Sequence, residues 1–239
     1  GCTDIIGGHK VRPHSWPYMA AIQNKSLSVF CGGTLVEKQW VLTAAHCVID
    51  ELQDRVVLGA HQPSIAEKEQ QIFKIVETFP HCQYDPPRYD NDIMLLKLNS
   101  TAKLNKYVQL LPLPDSFEDV EPVTVCQVAG WGDISPGKPS KYLRKTTLEI
   151  VDRKSCNKHY ANNPKINNNM LCATGKSKSR LSDACKGDSG GPLICAGQYR
   201  GIVSFGEKCE NPGAVGVYTR LTEEYINWIR RTISSNRDP

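Results

Sequence analysis

Asp183-Ala184-Cys185-Lys186-Gly187-Asp188-Ser189-Gly190-Gly191-Pro192 is the stretch around which the chain is organised. It sets one hydroxyl, that of Ser189, among glycines that let the backbone turn tightly and approach a ligand closely. Asp183 and Asp188 supply carboxylates, and Cys185 supplies a pin for the loop. A serine hydroxyl is a weak nucleophile at its own pKa, so such a loop works only with a histidine base and a carboxylate that orients the base. Both precede it. Leu42-Thr43-Ala44-Ala45-His46-Cys47 carries the imidazole and Asp90-Asn91-Asp92-Ile93-Met94-Leu95-Leu96 carries the acid, in the order His46, Asp92, Ser189. Each run alone reads as a surface turn or a structural histidine. The three together in one chain point to nucleophilic acyl transfer.

Outward from these motifs, the 239 residues break into many short apolar runs separated by Gly, Pro, Asn and Asp, the pattern of an all-β barrel or sandwich. Runs rich in β-branched and aromatic residues predict strands over 17–23, 29–36, 40–44, 55–59, 71–79 and 92–98, so that Asp92 opens a strand. After a linker over 113–122, strands are predicted over 124–131, 143–151, 170–174, 192–196, 199–206 and 216–220. One helix is expected, over 222–234: Tyr225, Trp228, Ile229 and Ile233 share a face, and Glu223 and Glu224 stand in its first turn. Ala44 and Ala45 keep bulk away from the backbone near His46.

Ten cysteines without the paired spacing of a zinc site predict disulfides and a secretory or granule compartment, with no metal and no cofactor. No apolar run approaches membrane-spanning length, and the absence of a signal peptide fits a trimmed secreted protein. The net charge of +4 does not indicate nucleic-acid binding, but it permits association with anionic glycans through Lys138, Lys141, Arg144, Lys145, Arg153, Lys154 and Lys158, or through Lys176, Lys178 and Arg180. Asn24-Lys25-Ser26 and Asn99-Ser100-Thr101 are N-glycosylation sequons.

From about Ile5 to Ser234 the chain resembles the chymotrypsin-type (S1) serine proteases on the His46, Asp92 and Ser189 motifs. The resemblance implies two six-stranded antiparallel β-barrels, the first over about 5–115 and the second over about 123–221, with a helix over 222–234 and the active site between the barrels. It implies an oxyanion hole from the N–H groups of Gly187 and Ser189. It places Asp183 at the floor of the pocket for the residue before the scissile bond, with Gly206 and Gly216 as its walls, and so implies cleavage after Arg or Lys. Ser204-Phe205-Gly206 becomes the strand that pairs with the substrate backbone. Residues 1–4 become a remnant propeptide, whose removal frees the Ile5 ammonium to pair with Asp188; with them attached the chain is an inactive precursor. The implied disulfides are Cys31–Cys47, Cys126–Cys195, Cys156–Cys172 and Cys185–Cys209.

Within the family, Pro13-His14-Ser15-Trp16-Pro17-Tyr18-Met19, Leu58-Gly59-Ala60-His61 and Ala102-Lys103-Leu104-Asn105-Lys106-Tyr107-Val108 are similar to the granzymes of types A and K, implying a granule-stored enzyme of cytotoxic lymphocytes or immune defence. Departures are Val215, where the family often has proline, and Val29, where many members carry a histidine that restrains the precursor. Cys2 and Cys82 are left over, and Cys82 resembles the cysteine through which such a granzyme forms a disulfide-linked homodimer. A free thiol at Cys82, or a Cys2–Cys82 bond in the precursor, stays open as an alternative. Two other functional readings also stay open: a digestive or mast-cell trypsin-like protease, and a catalytically silent heparin-binding homologue.

Overall fold

A computed structural model of the chain describes residues 9–135, 138–175, 188–206 and 213–239. After a two-residue strand β1 (His9–Lys10), six strands form the first barrel: β2 (Met19–Gln23), β3 (Val29–Glu37), β4 (Trp40–Thr43), β5 (Arg55–Leu58), β6 (Gln71–Pro80) and β7 (Met94–Leu98). They close in the order β2-β3-β4-β7-β6-β5, all neighbours antiparallel. The second half comprises β8 (Val125–Gly130), a small ribbon of β9 (Asp133–Ser135) and β10 (Lys138–Pro139), then β11 (Arg144–Val151), helix α1 (Arg153–His159), β12 (Met170–Gly175), β13 (Pro192–Cys195), β14 (Gln198–Gly206), β15 (Val215–Arg220) and helix α2 (Glu223–Ser235). Its sheet runs β11-β12-β15-β14-β13-β8 and closes through a β11–β8 pairing, with β1 added outside β11. The fold is therefore the expected pair of six-stranded barrels.

Strand periodicity explains the packing. On β6, Phe73 and Ile75 point into the first core while Ile72, Lys74 and Val76 face solvent. On β11, Thr146, Leu148 and Ile150 are the buried set. β2 is buried on both faces, because Ala20 and Ile22 fill the first barrel while Met19 and Ala21 pack with Ala129, Trp131 and Leu143 of the second half. That shared cluster joins the two barrels, each fully buried aliphatic contributing about 1.5–3 kcal/mol. Helix α2 follows the second barrel but packs on the first, with Tyr225, Ile226, Ile229 and Ile233 in the same core as Leu35, Trp40 and Leu96. Thr222 caps it, accepting a hydrogen bond from the Tyr225 N–H.

Three of the implied disulfides are present: Cys31–Cys47, Cys126–Cys195 and Cys156–Cys172. Cys185 and Cys209 lie outside the described residues, as do Cys2 and Ile5. The structure corrects two readings. α1 is a second helix, overlooked because its seven residues carry no apolar stripe and bury only Cys156; its mark is local, the Asp152 carboxylate accepting the Ser155 N–H at 2.9 Å. Asp92 does not open a strand. The Ile93 N–H donates to the Asn91 carbonyl at 2.9 Å, closing a three-residue turn around Asp92, and the ladder begins only at Met94.

Candidate active site

The His46 and Asp92 segments meet because β4 and β7 are paired. Thr43 at the end of β4 stands opposite Met94 at the start of β7, so the residues just beyond each strand emerge at the same end of the barrel. The Cys31–Cys47 disulfide ties the segment after His46 back to β3, and the Thr43 hydroxyl donates to the Gly32 carbonyl at 2.8 Å. The Asp92 side chain is fully buried, and its oxygens are satisfied by geometry that holds the imidazole. Oδ2 lies 2.6 Å from His46 Nδ1, Oδ1 accepts the His46 backbone N–H at 2.9 Å, and the Ser204 hydroxyl donates to Oδ2 at 2.6 Å. The Thr219 hydroxyl donates to the Asp92 backbone carbonyl at 2.7 Å. With Asp92 Oδ2 as the acceptor, His46 Nδ1 is the donor of that bond, which leaves Nε2 as the ring nitrogen able to take a proton.

Ser189 is half-buried, three residues ahead of β13, and its carbonyl accepts the Gly32 N–H at 2.8 Å. Gly32 is also the residue whose carbonyl holds Thr43, so one β3 residue draws the serine loop of the second barrel and the histidine loop of the first together. Gly190 follows at φ +88°; a Cβ there would stand 2.1 Å from Thr43 Oγ1 and 2.4 Å from the Gly32 carbonyl oxygen. Asp188 is fully buried and accepts the Gly132 N–H at 2.9 Å. Gly130 and Gly132 make room for it, since a Cβ at Gly130 would fall 2.0 Å from its Oδ1.

The end of β14 adjoins these residues through Ser204. β13 pairs with β14 only as far as Ile202, whereas β15 stays paired through Phe205 and Gly206, so the last residues of β14 keep one edge free of any described strand. Phe205 stacks on Tyr89 at 4.5 Å between ring centroids, and Tyr160 meets Phe205 edge-on at 5.8 Å. Tyr89 in turn stands edge-on to His46 at 6.0 Å. Gly206 lies opposite Gly216 in the ladder, so neither puts a side chain at this end of the groove.

Of the residues singled out in the sequence, the structure brings together His46, Asp92, Ser189, Ser204, Phe205, Gly206, Gly216 and the buried Asp188. Asp183 and Gly187 lie outside the described residues, with Lys176, Lys178 and Arg180. Ser204 was read as part of the substrate strand; its hydroxyl is also a partner of Asp92. Tyr89, Tyr160 and Thr219 were not singled out. Tyr89 had a local signal, three residues before Asp92 in the same loop, whereas Thr219 is 127 positions away and reaches Asp92 only through the fold. Among the described residues no group of three His, Cys, Asp or Glu side chains is arranged to hold a metal ion, and no helix is long and apolar enough to cross a membrane.

The family described as Trypsin matches residues 5–229. Granzyme A of Bos taurus is 44% identical over 98% of this chain and 89% of its own length. Granzyme B(G,H) of Mus musculus is 41% identical over 98% of this chain and 92% of its own, and trypsin-3 of Salmo salar is 41% identical over 97% and 94%.

Proposed function

We propose, since this chain belongs to the trypsin family of serine proteases, that it is an endopeptidase cleaving after Arg or Lys, of granzyme A or K type, stored in granules and acting in cytotoxic or defensive killing. The observation that carries the catalytic reading is the Asp92 carboxylate, buried and closed by His46 and Ser204. With the imidazole so held, His46 takes the proton of the Ser189 hydroxyl as that oxygen attacks the carbonyl, then passes it to the leaving amine. Asp92 stabilises the imidazolium in between. Water releases the acyl group by the reverse sequence. The N–H groups of Gly187 and Ser189 receive the oxyanion, a contribution of about 3–4 kcal/mol per donor. The substrate backbone adds to the unpaired edge at Ser204-Phe205-Gly206.

Specificity is assigned to Asp183. A carboxylate at the base of the pocket matches a guanidinium or ammonium, and an uncharged side chain leaves that charge unpaired at a cost of several kcal/mol. The facing Gly206 and Gly216 support this, since they leave the entrance without side chains. The protease domain is residues 5–239, and loss of residues 1–4 frees the Ile5 ammonium for Asp188, whose burial between Gly130 and Gly132 is favourable only with a partner of opposite charge. The two sequon asparagines carry glycans and Cys82 links two copies of the chain. The testing experiment is hydrolysis of matched Arg, Lys and Phe peptide anilides after removal of residues 1–4, with labelling of Ser189 by an organophosphonate. Arg and Lys substrates are expected to be preferred by orders of magnitude, and Asp183→Ser to abolish that preference while Ser189 still labels; equal rates on Phe substrates defeat the reading.

A further inference from the structure

We infer that Tyr225 and Asn91 are positioning residues for Asp92, acting through a hydrogen bond that ties the C-terminal helix to the turn presenting that carboxylate; the inference rests on the protease reading above. Asp92 sits outside the β7 ladder, at the centre of the turn closed by the Ile93 N–H and the Asn91 carbonyl. Its own carbonyl is fixed by Thr219 and its oxygens by His46 and Ser204. The residue that sets the direction of entry into the turn is Asn91, whose backbone is left-handed at φ +56°. Asparagine tolerates that conformation, but so does glycine, and nothing in the backbone alone requires the carboxamide.

The carboxamide is engaged at both ends. Its Nδ2 donates to the Gln83 carbonyl at 2.9 Å, closing the loop on itself, and its Oδ1 accepts the Tyr225 hydroxyl at 2.8 Å. Tyr225 is buried, its ring edge-on to His81 at 5.7 Å. It stands in the first turn of α2, whose Ile226, Ile229 and Ile233 are embedded in the first-barrel core. The hydroxyl therefore comes from a rigid element, and the loop it restrains begins at His81 and ends at Asp92. A carboxylate holding its partners at 2.6–2.9 Å has little room to move, and misplacement of a catalytic group by about 1 Å costs about a hundred-fold in rate. Partial release of Asn91 falls short of that limit.

The test uses the chain freed of residues 1–4, with Tyr225→Phe, Asn91→Gly and the double variant. Tyr225→Phe is expected to lower kcat on an Arg anilide about ten-fold with KM unchanged within about two-fold, and to move the acid limb of the kcat/KM profile to lower pH. Its melting temperature is expected to fall by no more than about 4 °C. Asn91→Gly, which keeps the backbone conformation, gives the same kinetic change without touching the helix, and the double variant is no worse than either single one. Wild-type kcat and pH profile in Tyr225→Phe overturn the inference, as do losses that multiply in the double variant or appear in KM alone. A wild-type protein that neither labels at Ser189 nor turns over sinks the protease reading itself, an outcome distinct from an active wild type that Tyr225→Phe leaves unchanged.

Discussion

At Gly190 two independent constraints fall on one residue. Its φ of +88° disfavours any L side chain, and the space a Cβ would need is taken by Thr43 Oγ1 and the Gly32 carbonyl, the atoms that bring the histidine and serine loops together. Neither can withdraw cheaply, since they bond each other at 2.8 Å and Gly32 also donates its N–H to the Ser189 carbonyl. Gly190→Ala is therefore expected to destabilise the fold by more than about 3 kcal/mol and to leave the purified protein unlabelled at Ser189. A urea midpoint equal to wild type contradicts this. At the same scale the sequence exposed the residues that carry chemistry but not those that hold them. His46, Asp92 and Ser189 sit in motifs readable within a few positions. The Ser204 and Thr219 bonds to Asp92 span 112 and 127 positions and depend on β14 and β15 bringing their hydroxyls to a residue of the other barrel.

Among the elements, those that bury apolar side chains were legible, down to the four-residue strands β4, β5 and β13, and those that bury little were not. Runs of β-branched and aromatic residues between polar turns identified β6, and the apolar face identified α2; both bury one side against a core. β1 is two residues long and exists only because His9 and Lys10 pair with Lys145 and Arg144, which no local pattern announces. Two histidines buried at element ends make a prediction of their own. His81, immediately after β6, packs against Tyr225 and Trp228, and its Nδ1 accepts the Gln83 N–H at 3.1 Å. Burial lowers its pKa, opposed in part by Glu224. His61, beside the inter-barrel cluster, is lowered by burial and then by Lys10, with Glu67 opposing, and neither ring nitrogen has a hydrogen-bond partner among the described residues. A histidine whose pKa is depressed by folding binds its proton more readily in the unfolded chain. The stability is thus complete above the ordinary imidazole value of about 6.5 and declines as pH falls from there toward the depressed folded values. Thermal melts from pH 8 to 5 are expected to show a falling midpoint below about pH 6.5, and His61→Phe and His81→Phe to flatten it. A midpoint independent of pH over that range, or an unchanged slope in both variants, rules the two residues out as its origin.

On the scale of the whole molecule, the charge and cysteine readings turn on which surfaces the fold assembles. Pairing of β1 with β11 places His9 opposite Lys145 and Lys10 opposite Arg144, and the exposed Lys138 and Lys141 lie just ahead of β11 in the chain. Gathered along one edge of the second barrel, these cations form a positive strip that attracts a polyanion. Arg153 does not join this set, since it is neutralised by Asp119. Heparin retention is therefore expected to weaken in Lys10→Ala/Lys145→Ala and to be unaffected by Arg153→Ala; the reverse pattern, or retention equal to that of a charge-matched protein, disposes of it.

Cys82 raises the question of assembly. It is exposed and has no disulfide partner among the described residues, while Cys31, Cys47, Cys126, Cys195, Cys156 and Cys172 are already bonded in pairs. With the Cys185–Cys209 bond that the resemblance implies and the proposed loss of residues 1–4, which would remove Cys2, the mature chain would hold an odd cysteine. Cys82 follows His81, which is anchored against α2, and begins the loop that ends at Asp92. A second copy bonded there would stand beside the loop carrying Tyr89, the ring between His46 and Phe205, and would limit which protein substrates reach the cleft without touching the chemistry. Non-reducing electrophoresis of the mature protein is expected to give a dimer that collapses to monomer in Cys82→Ser. The monomeric variant is expected to cleave small Arg anilides at the wild-type rate while accepting a wider set of folded proteins. A wild-type band at monomer mass, or a dimer that survives the substitution, excludes the linkage.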